Sequence, residues 1–238
     1  MSLLRSHPDI LAHGEVLRPF NNDELPGPIW GEYREKRGND NENLEYAKAL
    51  GDLMRYSPER FIQSILFDTQ GKSACGFKYK TDESLQDDYK PYTDIIIDDT
   101  DIKIIHLIRR NLLDQFISHS VVLQQTNVTF VHDEKDIPEI KPFKANATDA
   151  IQYFQDVERR ENIAREIYAK HRSIGVVYED LVDTEGTDRQ KVLEFLGVSS
   201  AALSSPTKKI IKDSRSLVSN LSELLETLSD AGFSRRLS

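Results

Sequence analysis

Cysteine is almost missing from this chain. Cys75 is the only one in 238 residues, which excludes an intramolecular disulfide and any cysteine-rich zinc site. Long apolar runs are missing too. No stretch approaches the roughly 18 consecutive apolar residues of a membrane helix, so no membrane segment is expected. The opening, MSLLRSHPDI, carries no apolar signal region, and the expected location is cytoplasmic. Positive charge is in deficit, with 31 Lys+Arg against 40 Asp+Glu and a net charge of -9. That balance argues against a protein that coats nucleic acid, while leaving room for a local basic pocket. The six histidines show neither HxH nor HxxxH spacing, so no metal is expected. No glycine precedes Gly14, and there are no internal repeats or low-complexity tracts.

What is present suffices for a core: 38% of residues are hydrophobic and 8% aromatic, which excludes wholesale disorder. The length suits one large domain, 1–238, and no linker divides it convincingly. A short helix is expected over Met1–Ser6, stopped by His7-Pro8. Residues 18–43, rich in Pro, Gly, Asn and charge, read as a long loop holding Trp30 and Tyr33. A helix follows over Leu44–Tyr56, then one capped by Ser57-Pro58 and running to about Phe67. Cys75–Tyr79 reads as a strand, and Pro91–Ile97 as either a short helix or an irregular segment. The run IIHLI within Lys103–Ile108 predicts a strand buried on both faces. Helices are expected over Asn111–Gln125, from Thr148 to His171, over Asp188–Leu196 before Gly197, and over Ser219–Ser229, with a further strand at Ile174–Tyr178. Strands alternating with helices predict an α/β fold with a mostly parallel sheet.

The chemistry concentrates in KIIHLIRRNLLDQFISH, Lys103–His119. Two arginines follow the C-terminal end of a strand, where open α/β sheets bind ligands. Arg110, Asp114 and Ser118 are spaced to share one helical stripe. A guanidinium fork and a hydroxyl two turns on suit a phosphate, although the same spacing also describes a surface Arg and Ser on an ordinary amphipathic helix.

Here the chain resembles a family. LIRRNLLDQFIS is similar to the 3′-phosphate-binding segment of sulfotransferases that use 3′-phosphoadenosine 5′-phosphosulfate (PAPS). Arg110 and Ser118 fit its Arg and Ser; Arg109 is a second phosphate ligand or the true first one. Three more segments resemble the same family in the same order: LLRSHPDILAHGEVL (3–17), ACGFKYK (74–80) and VVYEDLVDTEGTDRQKVLEFLGV (176–198). The tail LVSNLSELLETL is similar to its closing helix. The His-Pro-Asp and Gly-Glu features resemble the carbohydrate-type and tyrosylprotein-type branches.

The resemblance implies a three-layer, P-loop-containing sulfotransferase-like fold, with a mostly parallel central sheet flanked by helices. It implies PAPS as cofactor, no metal, and a sulfuryl group passed to a hydroxyl of a carbohydrate or similar acceptor. Glu15, in the Gly14-Glu15 pair, takes the role of general base, against the plain reading of a solvated loop glutamate. His7 and His13 are rival bases by chemistry; His7 suits a structural turn, and His13 could orient Glu15. Lys78 and Lys80 could reach the sulfate or acceptor, or form a solvated rim. Lys208 and Lys209 stand where a basic loop closes over the nucleotide, although the Arg-Lys-Gly motif of the cytosolic branch is absent. Three Asn-x-Ser/Thr triplets, at Asn127, Asn146 and Asn220, would permit glycosylation in a secretory compartment.

The strand and Gly-rich 5′-phosphosulfate loop that the family places ahead of this opening are not in the sequence, and Arg5 does not stand in for the loop's basic residue. The expected domain therefore lacks them, as a truncated chain or as a degenerate homologue that keeps only a 3′-phosphoadenosine pocket. Partners expected are a small-molecule or glycan acceptor and no nucleic acid; a homo-oligomer is compatible, since a missing central strand exposes edges.

Overall fold

The computed structural model describes residues 1–17, 40–129, 131–182, 187–205 and 208–238. Trp30, Tyr33 and the rest of 18–39 lie outside the described residues. In chain order the helices and strands are α1 (Ser2–Arg5), β1 (Ile10–Ala12), α2 (Asp40–Tyr56), α3 (Pro58–Phe61), β2 (Ala74–Gly76), α4 (Thr81–Ser84) and α5 (Lys90–Asp98). They continue with β3 (Ile104–Ile108), α6 (Leu112–Val121), α7 (Ala147–Ile167), β4 (Ser173–Val177), α8 (Tyr178–Val182), α9 (Thr187–Leu196) and α10 (Leu221–Asp230). Among the described residues the structure is mixed α/β, with helix outweighing strand, 54% to 10%. Among the described residues the strands pair two by two, β1 with β2 and β3 with β4.

Two compact units emerge. Unit 1 comprises 1–104, 166–174 and 190–204; unit 2 comprises 105–165, 175–189 and 205–238.

In unit 1, β1 and β2 run parallel, with Ile10 opposite Ala74 and Ala12 opposite Gly76. Pairing continues past both strand ends: His13 N–H donates to the Gly76 carbonyl at 2.7 Å, and Lys78 N–H to the Gly14 carbonyl at 3.0 Å. This extension fixes Glu15 beside the 78–80 segment. The core beneath is built from Leu17, Leu50, Met54, Phe61, Ile62, Leu66 and Ile96. α2 begins at Asp40, four residues earlier than the apolar spacing announces, because its first turn is polar and periodicity marks only the buried face. α3 continues as a π-type turn over Ile62–Leu66, as far as expected. Pro58 opens it, although the Ser57 side chain makes no capping bond. The ambiguous segment near Pro91 is helical, as α5.

Unit 2 packs α6, α7 and α10 around Leu113, Ile117, Phe154, Leu224 and Leu228, with Phe233 and Leu237 completing the cluster. Asn220 ties its last helix down, donating to the Ala145 carbonyl and accepting from the Ala145 N–H, at 3.0 and 2.9 Å. Two sequence expectations need correction here. β3 is not buried on both faces, since Leu107 is 50% exposed; a short apolar run does not by itself tell one covered face from two. The cap of α7 is Asn146 rather than Thr148: its Oδ1 accepts from the Thr148 and Asp149 N–H groups at 2.9 and 3.3 Å. Asparagine is among the strongest N-caps, and it lies one residue before the first helical position. Across the described residues, no helix is long and apolar enough to cross a membrane.

Candidate functional site

Two charged constellations follow strand ends. In unit 1, Glu15 sits just beyond the C-terminal ends of two parallel strands. Its Oε1 accepts from Lys78 Nζ at 2.5 Å and its Oε2 from Lys80 Nζ at 2.7 Å. Lys80 also approaches Glu83 at 3.6 Å. The Glu15 side chain is 17% exposed and that of Lys78 is 48%, so the carboxylate is mostly covered while one cation reaches solvent. β-sheet alternation explains the geometry. Lys78 and Lys80 are two apart on one extended segment, so both ammoniums reach the same neighbour. The two lysines are therefore direct partners of Glu15, Lys78 from an exposed position and Lys80 from a partly covered one.

His7 is structural. Its Nδ1 accepts from Asp9 N–H at 3.0 Å, which leaves Nε2–H to donate to the Ser199 carbonyl at 2.9 Å. His13 is buried.

In unit 2 the constellation gathers where β3 hands over to α6. Asn111 caps α6, its Oδ1 accepting from Asp114 N–H at 2.9 Å. The Glu179 carboxylate accepts from the N–H groups of Arg110 and Asn111 at 3.0 and 3.3 Å. A single Arg110 nitrogen, Nη2, donates to both Asp180 oxygens, at 2.7 and 2.9 Å. Asp114 accepts from the Ser214 hydroxyl. Arg109 takes a different course: its guanidinium carbon lies over the Tyr178 ring, 3.2 Å from the centroid. Ser118 is exposed, six residues inside the helix and about 9 Å along its axis from Leu112. Lys208 and Lys209 are exposed, and the Lys208 N–H donates to the Val131 carbonyl at 2.8 Å.

Aromatic and titratable groups complete this face. Tyr153 packs against Phe116 and His119, with ring centroids 5.7 and 5.2 Å apart. Burial raises the Tyr153 phenol, opposed by the positive fields of Arg160 and Arg109. Burial lowers His106, which also feels Glu161 and Arg165, and burial with Arg160 lowers His119. In unit 1, burial pushes the Cys75 thiol up.

Sequence reasoning singled out Glu15, Arg109, Arg110 and Ser118 but passed over Glu179, Asp180, Tyr153 and Arg160. A signal for the first two was available: the Tyr-Glu-Asp triplet that follows β4 carries two carboxylates, and β4 is the strand paired with β3, which the arginines follow. Among the described residues, no group of three or more His, Cys, Asp or Glu is placed to hold a metal. Compared with known proteins, the chain matches no family model, no curated protein and no solved structure.

Proposed function

We propose that the chain is built as a PAPS-dependent sulfotransferase acting on a hydroxyl of a carbohydrate or similar acceptor, within a three-layer α/β fold of the P-loop-containing kind. The observation that carries the reading is Glu15, a mostly covered carboxylate held by Lys78 and Lys80 beyond the C-terminal ends of two parallel strands. In this reading the acceptor oxygen attacks sulfur, and its proton passes to the Glu15 carboxylate. The bond from sulfur to the bridging phosphate oxygen breaks, and 3′,5′-adenosine bisphosphate leaves with that electron pair. Such transfer relies on positioning and charge stabilisation, which the paired lysines would supply. The acceptor class rests on the resemblance of the Gly14-Glu15 segment.

The test is transfer of labelled sulfuryl from PAPS to a panel of mono- and oligosaccharides. Glu15→Gln should lower the rate about 10²–10⁴-fold with nucleotide affinity retained. No transfer to any acceptor by the unaltered chain, or equal rates in Glu15→Gln, would sink the catalytic assignment.

One observation favours a second reading, nucleotide binding without transfer. Both Glu15 oxygens already accept from ammoniums, so the carboxylate is engaged before any acceptor arrives. Tight nucleotide binding without turnover would select this reading.

A further inference from the structure

Among the described residues two carboxylates are buried, Glu83 at 8% exposure and Asp188 at 5%. Burying a charge is costly unless it is paired and hydrogen-bonded. Asp188 accepts from the Val177 N–H at 3.1 Å, an amide of β4. Glu83 is engaged differently: its hydrogen-bond and ion-pair partners among the described residues both belong to Lys80. Its Oε2 accepts from the Lys80 N–H at 3.3 Å, and its Oε1 lies 3.6 Å from Lys80 Nζ. Glu83 therefore holds Lys80 at two places, by its backbone and by its ammonium. That same ammonium is 2.7 Å from Glu15 Oε2. Lys78 has no second carboxylate among the described residues. Its ammonium meets Glu15 Oε1, and its side chain is 48% exposed against 34% for Lys80. The two lysines on Glu15 are thus unequal. One is gripped from behind, and the other is tethered by the carboxylate it serves.

Resting on the reading of Glu15 as the base, we propose that Glu83 is a positioning residue, anchoring Lys80 on Glu15 Oε2 so that the acceptor hydroxyl enters at Oε1 in place of the Lys78 ammonium. Each Glu15 oxygen accepts from an ammonium, so an arriving hydroxyl competes with one lysine or the other. Displacing Lys78 exchanges one exposed ion pair for solvation of its ammonium, a small loss. Displacing Lys80 would also draw it from Glu83 and leave that carboxylate buried without its cation, a much larger one. The competition therefore falls on Lys78. With Lys80 in place the carboxylate keeps its orientation. The proton passes from the acceptor hydroxyl to Oε1, and the Lys78 ammonium turns to solvent with its own protons. Glu83 acts through Lys80, not on the acceptor itself.

Two measurements on the full chain test this. The first needs no substrate: nuclear magnetic resonance of the lysine ammonium groups, assigned with Lys78→Met and Lys80→Met. Lys80 Nζ should be the more ordered of the two. Glu83→Gln keeps an acceptor for the Lys80 N–H but drops the charge, and should loosen the Lys80 ammonium to the level of Lys78. The second is transfer kinetics. Glu83→Gln should lower kcat about 10- to 100-fold with the acceptor KM little changed, and Glu83→Asp should recover part of the loss. The effect should persist in a Lys78→Met background and vanish in Lys80→Met, where Glu83 has nothing to anchor. A purely structural Glu83 would lower both backgrounds alike. Thermal melting confirms that each variant folds. Equal order at the two ammoniums of the unaltered chain overturns the assignment. So does full kcat in folded Glu83→Gln, or an effect of Glu83→Gln that survives in Lys80→Met. If Glu15→Gln transfers as fast as the unaltered chain, or neither transfers, it is the reading of Glu15 as the base that fails, and the assignment with it.

Discussion

The two strand-end constellations differ in charge balance. In unit 1 two carboxylates, Glu15 and Glu83, meet two lysines, Lys78 and Lys80. In unit 2 two carboxylates, Glu179 and Asp180, serve one arginine and two backbone N–H groups at a helix start. The first arrangement matches its carboxylates with ammoniums one for one. The second already contains its anions, as a helix N-terminus prefers, and so is satisfied without a ligand. The difference teaches that residues following a strand end are not equivalent candidates. The useful question is whether the protein itself has already neutralised the group.

Four changes would break or sharpen that contrast. The largest effect on stability is expected from Lys80→Met. It removes a cation from two mostly covered carboxylates, Glu15 and Glu83, and should destabilise by about 1–3 kcal/mol in chemical denaturation. No change would show that Lys78 alone suffices for Glu15. Next comes Glu179→Ala, which uncaps two amides at the start of α6 and should cost about 0.5–2 kcal/mol. A loss equal to that of Lys80→Met would erase the distinction between the two ends. The Arg110–Asp180 pair is half-exposed, 50% and 36%, and uses one guanidinium nitrogen, so a double-mutant cycle should find only about 0.2–1 kcal/mol of coupling.

The smallest effect is a dependence on pH centred on unit 2. Burial lowers both His106 and His119 below the ordinary imidazole value of 6.5. The unfolded chain therefore takes up these protons first. Stability is full above the ordinary value and falls as pH drops through it towards the lowered folded values. Melting temperature should decline between about pH 7.5 and about pH 5.5, and His106→Asn should flatten the decline. An unchanged slope in that variant would place the sensitivity elsewhere.

Much of the fold was legible where one signal dominated. The Gly197 stop, with φ at +79°, needs a residue without a Cβ, and the α6 stripe of Leu112, Leu113, Phe116 and Ile117 is buried as its spacing announces. Boundaries set by polar residues were less legible. The first turn of α2 is charged, and the α7 start depended on which of Asn146 and Thr148 offered its oxygen. The site was legible one residue at a time. Glu15 stood out by its neighbour Gly14, but its two lysines lie sixty-odd positions on, and only the register of β1 on β2 joins them. Likewise, nothing in the adjacent pair Arg109-Arg110 says that one meets a carboxylate and the other a ring. That depends on Tyr178 and Asp180, which a different strand delivers.

The interleaving of the two units bears on how the chain is made. Unit 1 draws on segments up to residue 204, and the core of unit 2 includes Phe233 and Leu237, with Arg215 donating to the Leu237 carbonyl. Neither unit is a contiguous stretch, and unit 1 cannot complete its core until much of unit 2 has been made. The common route of finishing an N-terminal domain during synthesis, before the next begins, is closed to this chain. Residues 1–104 must wait for partners roughly a hundred positions downstream. The same threading means that no single cut separates one intact unit from the other.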